Sequence, residues 1–181
     1  GAFDTALGGG IPLPALTEIH ALETRDAAIA AGLALALCSR LPVSPERPLF
    51  WIGTSDIFHE AGFPYAPGIS GGFGVSPGSL LVSAPSHVVD ALWVAEEAAR
   101  LTHLAAVVLE LRGNPQRLDL TATRRLHRRA QEAGRPVFLL RAGAQAEPTA
   151  APVRLVAGPA QASRRRILSG ALDGSIGPPA F

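Results

Sequence analysis

Short, continuous apolar runs that recur along the chain constrain its fold more than any other feature. The clearest is LAAVVLEL at 104–111, which we predict to be a central strand, and the others lie at 15–20, 48–53, 80–84, 136–140 and 152–157. A strand that is apolar on both faces needs cover on both faces, which favours a parallel sheet. Helical patterns separate most of these runs. The sequence therefore predicts a three-layer α/β domain with a mostly parallel central sheet.

Three helices are predicted from capping residues and from the spacing of apolar residues. The first begins with Thr24 as its N-cap and runs to about residue 41, and the second begins with Ser86 and runs to about residue 101. The third spans 121–133 and ends at Gly134, a residue suited to a left-handed C-terminal cap. Each of these helices follows one of the apolar runs, as βαβ units require.

The remaining segments set the predicted domain organisation. Residues 61–79 are rich in Gly and Pro, so we predict a long loop there, and we predict that 152–157 forms an antiparallel edge strand. Residues 1–169 are expected to form one domain. Residues 170–181 are expected to form a turn-rich C-terminal tail at its periphery.

The basic residues exclude several kinds of chemistry. All sixteen are Arg, because the sequence contains no Lys. A Schiff base, a Ser-Lys nucleophile pair and the phosphate-binding Lys of a P-loop are therefore excluded within this chain. The single cysteine, Cys38, lies among Ala and Leu and is predicted to be a core residue, and the five His are scattered. We expect no metal site, no cofactor and a reducing cytoplasmic location.

The charge is unevenly distributed along the chain, although the formal net charge is only +1. Residues 1–111 carry four Arg against eleven acids, whereas residues 112–181 carry twelve Arg against four acids. The second part is therefore predicted to attract polyanions. No apolar stretch approaches the eighteen or so residues of a membrane helix, so no membrane partner is expected.

The opening segment carries a resemblance to a known family. Residues 3–12 (FDTALGGGIP), followed by Glu18-Ile19 in the first strand, resemble the segment that leads into the P-loop of the RecA family of recombinase ATPases. The similarity is greatest to the ImuA branch, RecA-like accessory proteins of error-prone translesion synthesis, and the chain is also similar to the SulA cell-division inhibitors. The resemblance implies a RecA-like fold over at least residues 3–157.

The P-loop that this resemblance implies is degenerate. Ala21 stands where the family has its first Gly, and Asp26, Ala27 and Ala28 stand where it has Gly-Lys-Thr. A phosphate cradle needs Gly for close backbone approach, Lys for the phosphate oxygens and a hydroxyl for Mg²⁺. Glu110 occupies the Walker B position, where it could hold Mg²⁺ or serve as a buried polar residue with a hydrogen-bond partner. We expect no ATP hydrolysis and no bound nucleotide.

Two further family positions differ in this chain. Gly53-Thr54-Ser55 follow the second strand, where the family has its water-activating Glu. The two DNA-contacting loops of the family would correspond to residues 112–117 and 141–148, and both are short here. Strand exchange of the recombinase kind is therefore not expected.

A cluster of arginines is the main candidate binding surface. Arg124, Arg125, Arg128 and Arg129 fall on one side of the third predicted helix, where like charges at i and i+4 destabilise a helix. They form either a solvated face paired with acids such as Glu132, or a docking surface for phosphates or an acidic partner. That surface would be extended by further arginines, namely Arg112, Arg117, Arg164, Arg165 and Arg166.

Trp93 is the other candidate contact residue. It falls toward the polar side of its helix, so it is either a partner-binding residue or cover for the loop at 61–79.

The leading hypothesis is a non-enzymatic protein of the ImuA type. The resemblance implies a role in the bacterial DNA-damage (SOS) response through contacts with the ImuB polymerase-like protein and with RecA. A SulA-like inhibitor of FtsZ polymerisation is the first alternative, and a residual ATP-binding or ATPase protein is the second. Weak DNA contact through the arginine cluster and self-association are further expectations.

Overall fold

The computed structural model describes residues 2–160, 165–167 and 170–172, with side chains described within 3–160. Its helices are α1 (Ala2–Ala6), α2 (Ala27–Cys38), α3 (Ser55–Ala61), α4 (Ala66–Phe73), α5 (Val88–Ala98) and α6 (Leu120–Ala133). Its strands are β1 (Leu16–Ala21), β2 (Leu49–Gly53), β3 (Leu80–Ser83), β4 (Ala106–Arg112), β5 (Val137–Ala142), β6 (Val153–Ala157), β7 (Arg165–Ile167) and β8 (Gly170–Leu172).

Six strands form one parallel sheet in the order β3-β2-β4-β5-β1-β6. The four interior strands, β1, β2, β4 and β5, are largely buried on both faces, whereas the edge strands β3 and β6 are partly exposed. One layer of cover contains α2, α3 and α4, and its core includes Leu33, Phe58 and Ile69. The opposite layer contains α5 and α6, and its core includes Leu92 and Leu126. The predicted three-layer α/β architecture is confirmed.

Helix α6 shows how closely local sequence can set helix boundaries. Asp119 is its N-cap, and its carboxylate accepts a hydrogen bond from the backbone amide of Ala122 at 2.7 Å. Gly134 ends the helix in the left-handed conformation with φ of 69°, which glycine adopts without a Cβ penalty. The predicted end of this helix is confirmed.

Residues 61–79 are not a continuous loop, contrary to the sequence prediction. They contain helix α4 and a short 3₁₀ turn, Pro77–Ser79. Pro67 lies in the first turn of α4, where its missing amide has no helical acceptor, and Ile69 is buried in the core. Burial of Ile69 therefore outweighs the poor helix propensity of the glycines at 71 and 72.

Two predicted helix starts are also corrected. The N-cap of α2 is Asp26 and not Thr24, because Thr24–Asp26 form a 3₁₀ turn before the helix. The N-cap of α5 is His87 and not Ser86, and neither helix has a side-chain capping bond.

Strand β6 lies at the sheet edge as predicted, but it is parallel to β1 and not antiparallel. The segment 143–152 is long enough to return across the sheet at about 3.3 Å per residue before β6 begins. The backbone amide of Ala150 within it donates a hydrogen bond to the hydroxyl of Thr123 on α6.

The predicted tail at 170–181 falls only partly within the described residues. Strand β8 pairs with β7 in a separate antiparallel ribbon, and residues 173–181 lie outside the described part of the chain. No helix in the described part is both long enough and apolar enough to cross a membrane.

Candidate functional site

The loop between β1 and α2 begins the candidate nucleotide site. Ala21 is the buried last residue of β1, and Asp26 precedes the first residue of α2. The exposed side chains of Glu23 and Arg25 form an ion pair at 2.9 Å. The carboxylate at position 26 stands at the helix start, where an anion would otherwise bind to free backbone amides. Phosphate would meet electrostatic repulsion there.

Close packing from a second loop confines the same turn. A Cβ added at Gly143, which follows β5 with φ of +62°, would lie 2.7 Å from the hydroxyl oxygen of Thr24. The backbone of Gly143 therefore approaches Thr24 as closely as a glycine allows. A larger residue at position 143 would therefore clash with Thr24.

Glu110 lies near the end of β4, on the α2 face of the sheet. Its carboxylate oxygen Oε2 accepts a hydrogen bond from the indole nitrogen of Trp51 at 3.1 Å. Burial raises the pKa of Glu110, although the bond from Trp51 and the positive charge of Arg112 act in the opposite direction. Glu110 is thus a largely buried carboxyl group with a specific partner.

The structure leaves no room for a side chain at Gly53, the last residue of β2 and the first of the three residues 53–55. A Cβ on Gly53 would lie 2.8 Å from the ring of Phe58. Thr54 is buried and serves as the N-cap residue of α3. The position that the resemblance assigns to a water-activating Glu is therefore filled by the Phe58 ring.

No group of three or more His, Cys, Asp or Glu side chains is placed to hold a metal ion in the described part of the chain. Cys38 is a free, buried thiol, and burial raises its pKa to about 12. Cys38 therefore lies in the apolar core, as the sequence predicts.

The α6 arginines divide into two kinds of environment. Arg125 contacts Glu96 of α5 at 2.8 Å, and Arg129 contacts Glu96 at 3.7 Å and Glu97 at 3.0 Å. These two arginines therefore hold α6 against α5. Arg124 and Arg128 are exposed, and Arg128 pairs with Glu132 at 3.3 Å. We call Arg124, Arg128 and Trp93 the α5–α6 surface.

Trp93 lies on α5 with 65% of its surface exposed. It is three residues before Glu96, on the side of α5 that carries the ion pairs to α6. The reading of Trp93 as cover for residues 61–79 is wrong, because α3 and α4 lie on the opposite face of the sheet. Trp and Arg are the residue types typical of protein-binding hot spots.

The structure separates Arg112 from the other arginine candidates. Successive side chains of a strand point to opposite faces of the sheet. Leu111 of β4 is buried on the face covered by α5 and α6, so Arg112 points to the face covered by α2 and α3. There it forms an ion pair with Glu60 of α3. Arg117 is exposed in the loop before α6. Arg164 lies outside the described residues, and so do the side chains of Arg165 and Arg166.

The two loops that the resemblance assigns to DNA contacts are hydrogen-bonded to each other. The side-chain amide of Asn114 donates to the carbonyl of Gln145 at 2.9 Å, and the Gln145 backbone amide donates to the Asn114 side-chain oxygen at 2.7 Å. Buried Arg141 donates to the carbonyl of Gly113 at 2.9 Å and pairs with Glu147 at 3.4 Å. These bonds hold both loops together at the carboxyl ends of β4 and β5.

Sequence reasoning missed a buried polar cluster at the end of β1. Glu18 accepts one hydrogen bond from Arg154 at 2.9 Å and contacts His20 at 3.1 Å. Burial alone would raise the pKa of Glu18, but bonds from His20, Thr149 and Arg154 outweigh it and lower the pKa to about 2. A Glu and a His inside an apolar strand are the signals that could have revealed this cluster.

With the site described, the fold can be compared with solved structures. The RadB recombinase structure matches with a TM-score of 0.53 and 18% identity, over 76% of this chain and 65% of that one. The fold is RecA-like. SulA from Pseudomonas aeruginosa matches with a TM-score of 0.49 and 21% identity, over 73% of this chain and 100% of that one. No family model matches the sequence, and neither does any curated protein.

The RecA-like fold confirms the fold class that the opening motif implied. The chain spans about two thirds of the length of the RadB structure, at 65%. In a parallel sheet of this kind, ligands bind beyond the carboxyl ends of the strands. Ala28, Glu110 and the loop after β5 all lie at that edge, so the fold brings together residues that the resemblance assigns to the nucleotide site.

Proposed function

We propose that this chain is a RecA-like binding protein that does not hydrolyse ATP, and that it acts as an ImuA-type accessory in the bacterial DNA-damage response. In that role it supports error-prone translesion synthesis in the cytoplasm, through contacts with an ImuB-type polymerase-like protein and with RecA. The ImuA assignment rests on the resemblance of residues 3–12 and 18–19, and the RecA-like fold supports it.

One observation carries the non-enzymatic part of this proposal. The carboxylate of Asp26 stands at the start of α2, and the next two residues are Ala27 and Ala28. This arrangement offers phosphate a negative charge and supplies neither the Lys nor the hydroxyl that a nucleotide with Mg²⁺ requires. Glu110, at the Walker B position, is bonded to Trp51.

The α5–α6 surface supports a role in binding. Trp93 supplies a large apolar side chain that is mostly exposed, and Arg124 and Arg128 supply exposed charge on the neighbouring helix α6. Arg125 and Arg129 are paired with Glu96 and Glu97, so they rigidify this surface and keep α6 in place. A rigid surface loses little conformational entropy when a partner binds.

Binding of purified partners to the immobilised chain tests the proposal. We expect an ImuB-type protein and RecA to bind, FtsZ not to bind, and the Trp93→Ala/Arg128→Ala variant to bind at least tenfold more weakly. Arg40→Ala, which removes an exposed arginine just after α2, is the matched control and is expected to bind normally. Binding to FtsZ without binding to ImuB or RecA would replace the proposal with the SulA-like alternative.

A further inference from the structure

A cavity of about 410 Å³ opens on the α2 face of the sheet, beside the ends of β2 and β4. Its walls come from α2, from α3 and α4 with the turn between them, and from two strands of the sheet. Ala27 and Ala28 line it, so it begins where the degenerate P-loop ends. Cavities of this size are typical of sites for small molecules.

Aromatic side chains form much of its lining. Trp51, Phe58, Phe63, Tyr65 and Phe73 all contribute, which is half of the ten aromatic residues in the chain. Trp51 lies buried at one end, whereas Phe63 and Tyr65 are 60% and 72% exposed at the other. The rings of Phe58 and Phe63 stack with centroids 4.7 Å apart.

One carboxyl group reaches this aromatic lining. Among the described residues that line the cavity, Glu110 is the one acidic residue, and none is Arg or His. Arg112, the nearest cation in sequence, is paired with Glu60, and Asp56 lies on the same helix. The hydrogen bond from Trp51 uses one oxygen of Glu110, and a carboxylate accepts up to about four bonds.

We propose that this cavity binds a small organic cation, an ammonium group carried on an aromatic or aliphatic body. The ammonium would lie beside the carboxylate of Glu110, and the rings would contact the ligand through their electron-rich faces. A cation would offset the cost of burying that carboxylate, whereas a phosphate would add to it. The proposal does not depend on the ImuA-type role.

An ammonium could be supplied by a free small molecule or by a Lys side chain of a partner. The volume favours the free molecule, because one Lys side chain would leave most of about 410 Å³ unfilled. The lining also lies on the opposite face of the sheet from the α5–α6 surface, so both sites could be occupied at once.

Tryptophan fluorescence provides the test. The chain has two Trp residues, so Trp93→Phe leaves Trp51 as the sole reporter, inside the cavity. We expect 4-phenylbutylamine to change the Trp51 emission saturably and to bind at least tenfold more tightly than 4-phenylbutan-1-ol, its uncharged analogue. Equal affinity for the amine and the alcohol, or no saturable change with either, would overturn the proposal.

Variants separate the charge from the aromatic lining. Glu110→Gln keeps an acceptor for Trp51 but removes the negative charge, so this variant should bind the amine and the alcohol equally well. Glu97→Gln on α5 is the control and should keep the preference for the amine. Tyr65→Ala alters an exposed ring and should weaken amine binding several-fold without unfolding the chain. Nα-acetyl-lysine amide represents the Lys side chain of a partner. If it binds more tightly than 4-phenylbutylamine, the assignment to a free small molecule would be overturned.

Discussion

Trp51 and Glu110 are joined by a hydrogen bond of 3.1 Å between indole nitrogen and carboxylate oxygen, and they lie on the neighbouring strands β2 and β4. The bond gives an aromatic partner to the carboxyl group that the resemblance assigns to the Walker B position. It supports the reading of Glu110 as a buried polar residue with a partner.

The first prediction concerns nucleotide. A ligand present at a hundred times its dissociation constant stabilises a protein by ~2.7 kcal/mol, which corresponds to about 5 to 10 °C in Tm for a domain of this size. We expect millimolar Mg-ATP to leave the Tm unchanged in a thermal scan. An active RecA-like ATPase is the positive control. A magnesium-dependent rise of several degrees would support the ATP-binding alternative.

The second prediction concerns pH and Glu18. The pKa of Glu18 is about 2 in the fold against an ordinary value of 4.5, so its contribution to stability is present above pH 4.5 and is lost as the pH falls through about 2. We expect Glu18→Gln to lower the free energy of unfolding by about 3 kcal/mol at pH 7. Urea denaturation should show this difference shrinking below pH 4.5.

Glu23→Gln is the matched control for Glu18. The Glu23 side chain is 57% exposed in its pair with Arg25, so its removal should change the free energy of unfolding by less than about 1 kcal/mol. A pH-independent effect of Glu18→Gln would contradict the assigned role of the buried carboxylate.

The third prediction tests the contact between α5 and α6. Glu96 is 9% exposed and accepts a hydrogen bond from Arg125 while lying near Arg129. Glu96→Gln should lower the free energy of unfolding by about 1 to 2 kcal/mol, because a largely buried ionic partner is lost. Glu132→Gln removes an exposed partner of Arg128 and should cost under about 1 kcal/mol. Equal losses would argue against this division of the arginines.

The fourth prediction concerns DNA. If the chain binds DNA weakly, the exposed residues Arg117, Arg124 and Arg128 should carry the contact. Arg125 and Arg129 are paired with acids of α5, whereas the partner of Arg128 is the exposed Glu132 of its own helix. Three phosphate contacts give a slope of about −2.7 for the logarithm of the binding constant against that of salt concentration. Arg124→Ala/Arg128→Ala should bring this slope to about −1. Salt-independent binding would contradict an ionic contact.

The fifth prediction concerns the paired loops. Asn114→Ala removes both hydrogen bonds to Gln145, so the backbone amide of Gln145 should exchange with deuterium roughly fivefold faster, which is about 1 kcal/mol of opening free energy. Gln116→Ala, at an exposed position of the same loop, should leave this rate unchanged. An unaltered rate in Asn114→Ala would show that other contacts hold the loop.

Much of the fold could be predicted because its signals are local. Residues 106–112 form β4, within and just beyond the predicted run at 104–111. Asp119 sets the start of α6 through its side chain, and Gly134 sets its end through its left-handed backbone. The helix α4 was missed because it forms for a tertiary reason, the burial of Ile69, which its Gly-rich sequence does not announce. The direction of β6 depended likewise on a connection that crosses the sheet.

The sequence by itself determined the apolar strands of a mostly parallel sheet and the residues of the loop that the resemblance assigns to a P-loop. The absence of Lys and the replacement of Gly-Lys-Thr by Asp26, Ala27 and Ala28 are properties of the residues, whatever surrounds them. Only the tertiary structure decided how the arginines are used, because an ion pair depends on which helices are neighbours. The tertiary structure also creates the cavity. Trp51, Tyr65 and Glu110 are distant in sequence and line one cavity only when the sheet and its covering helices assemble.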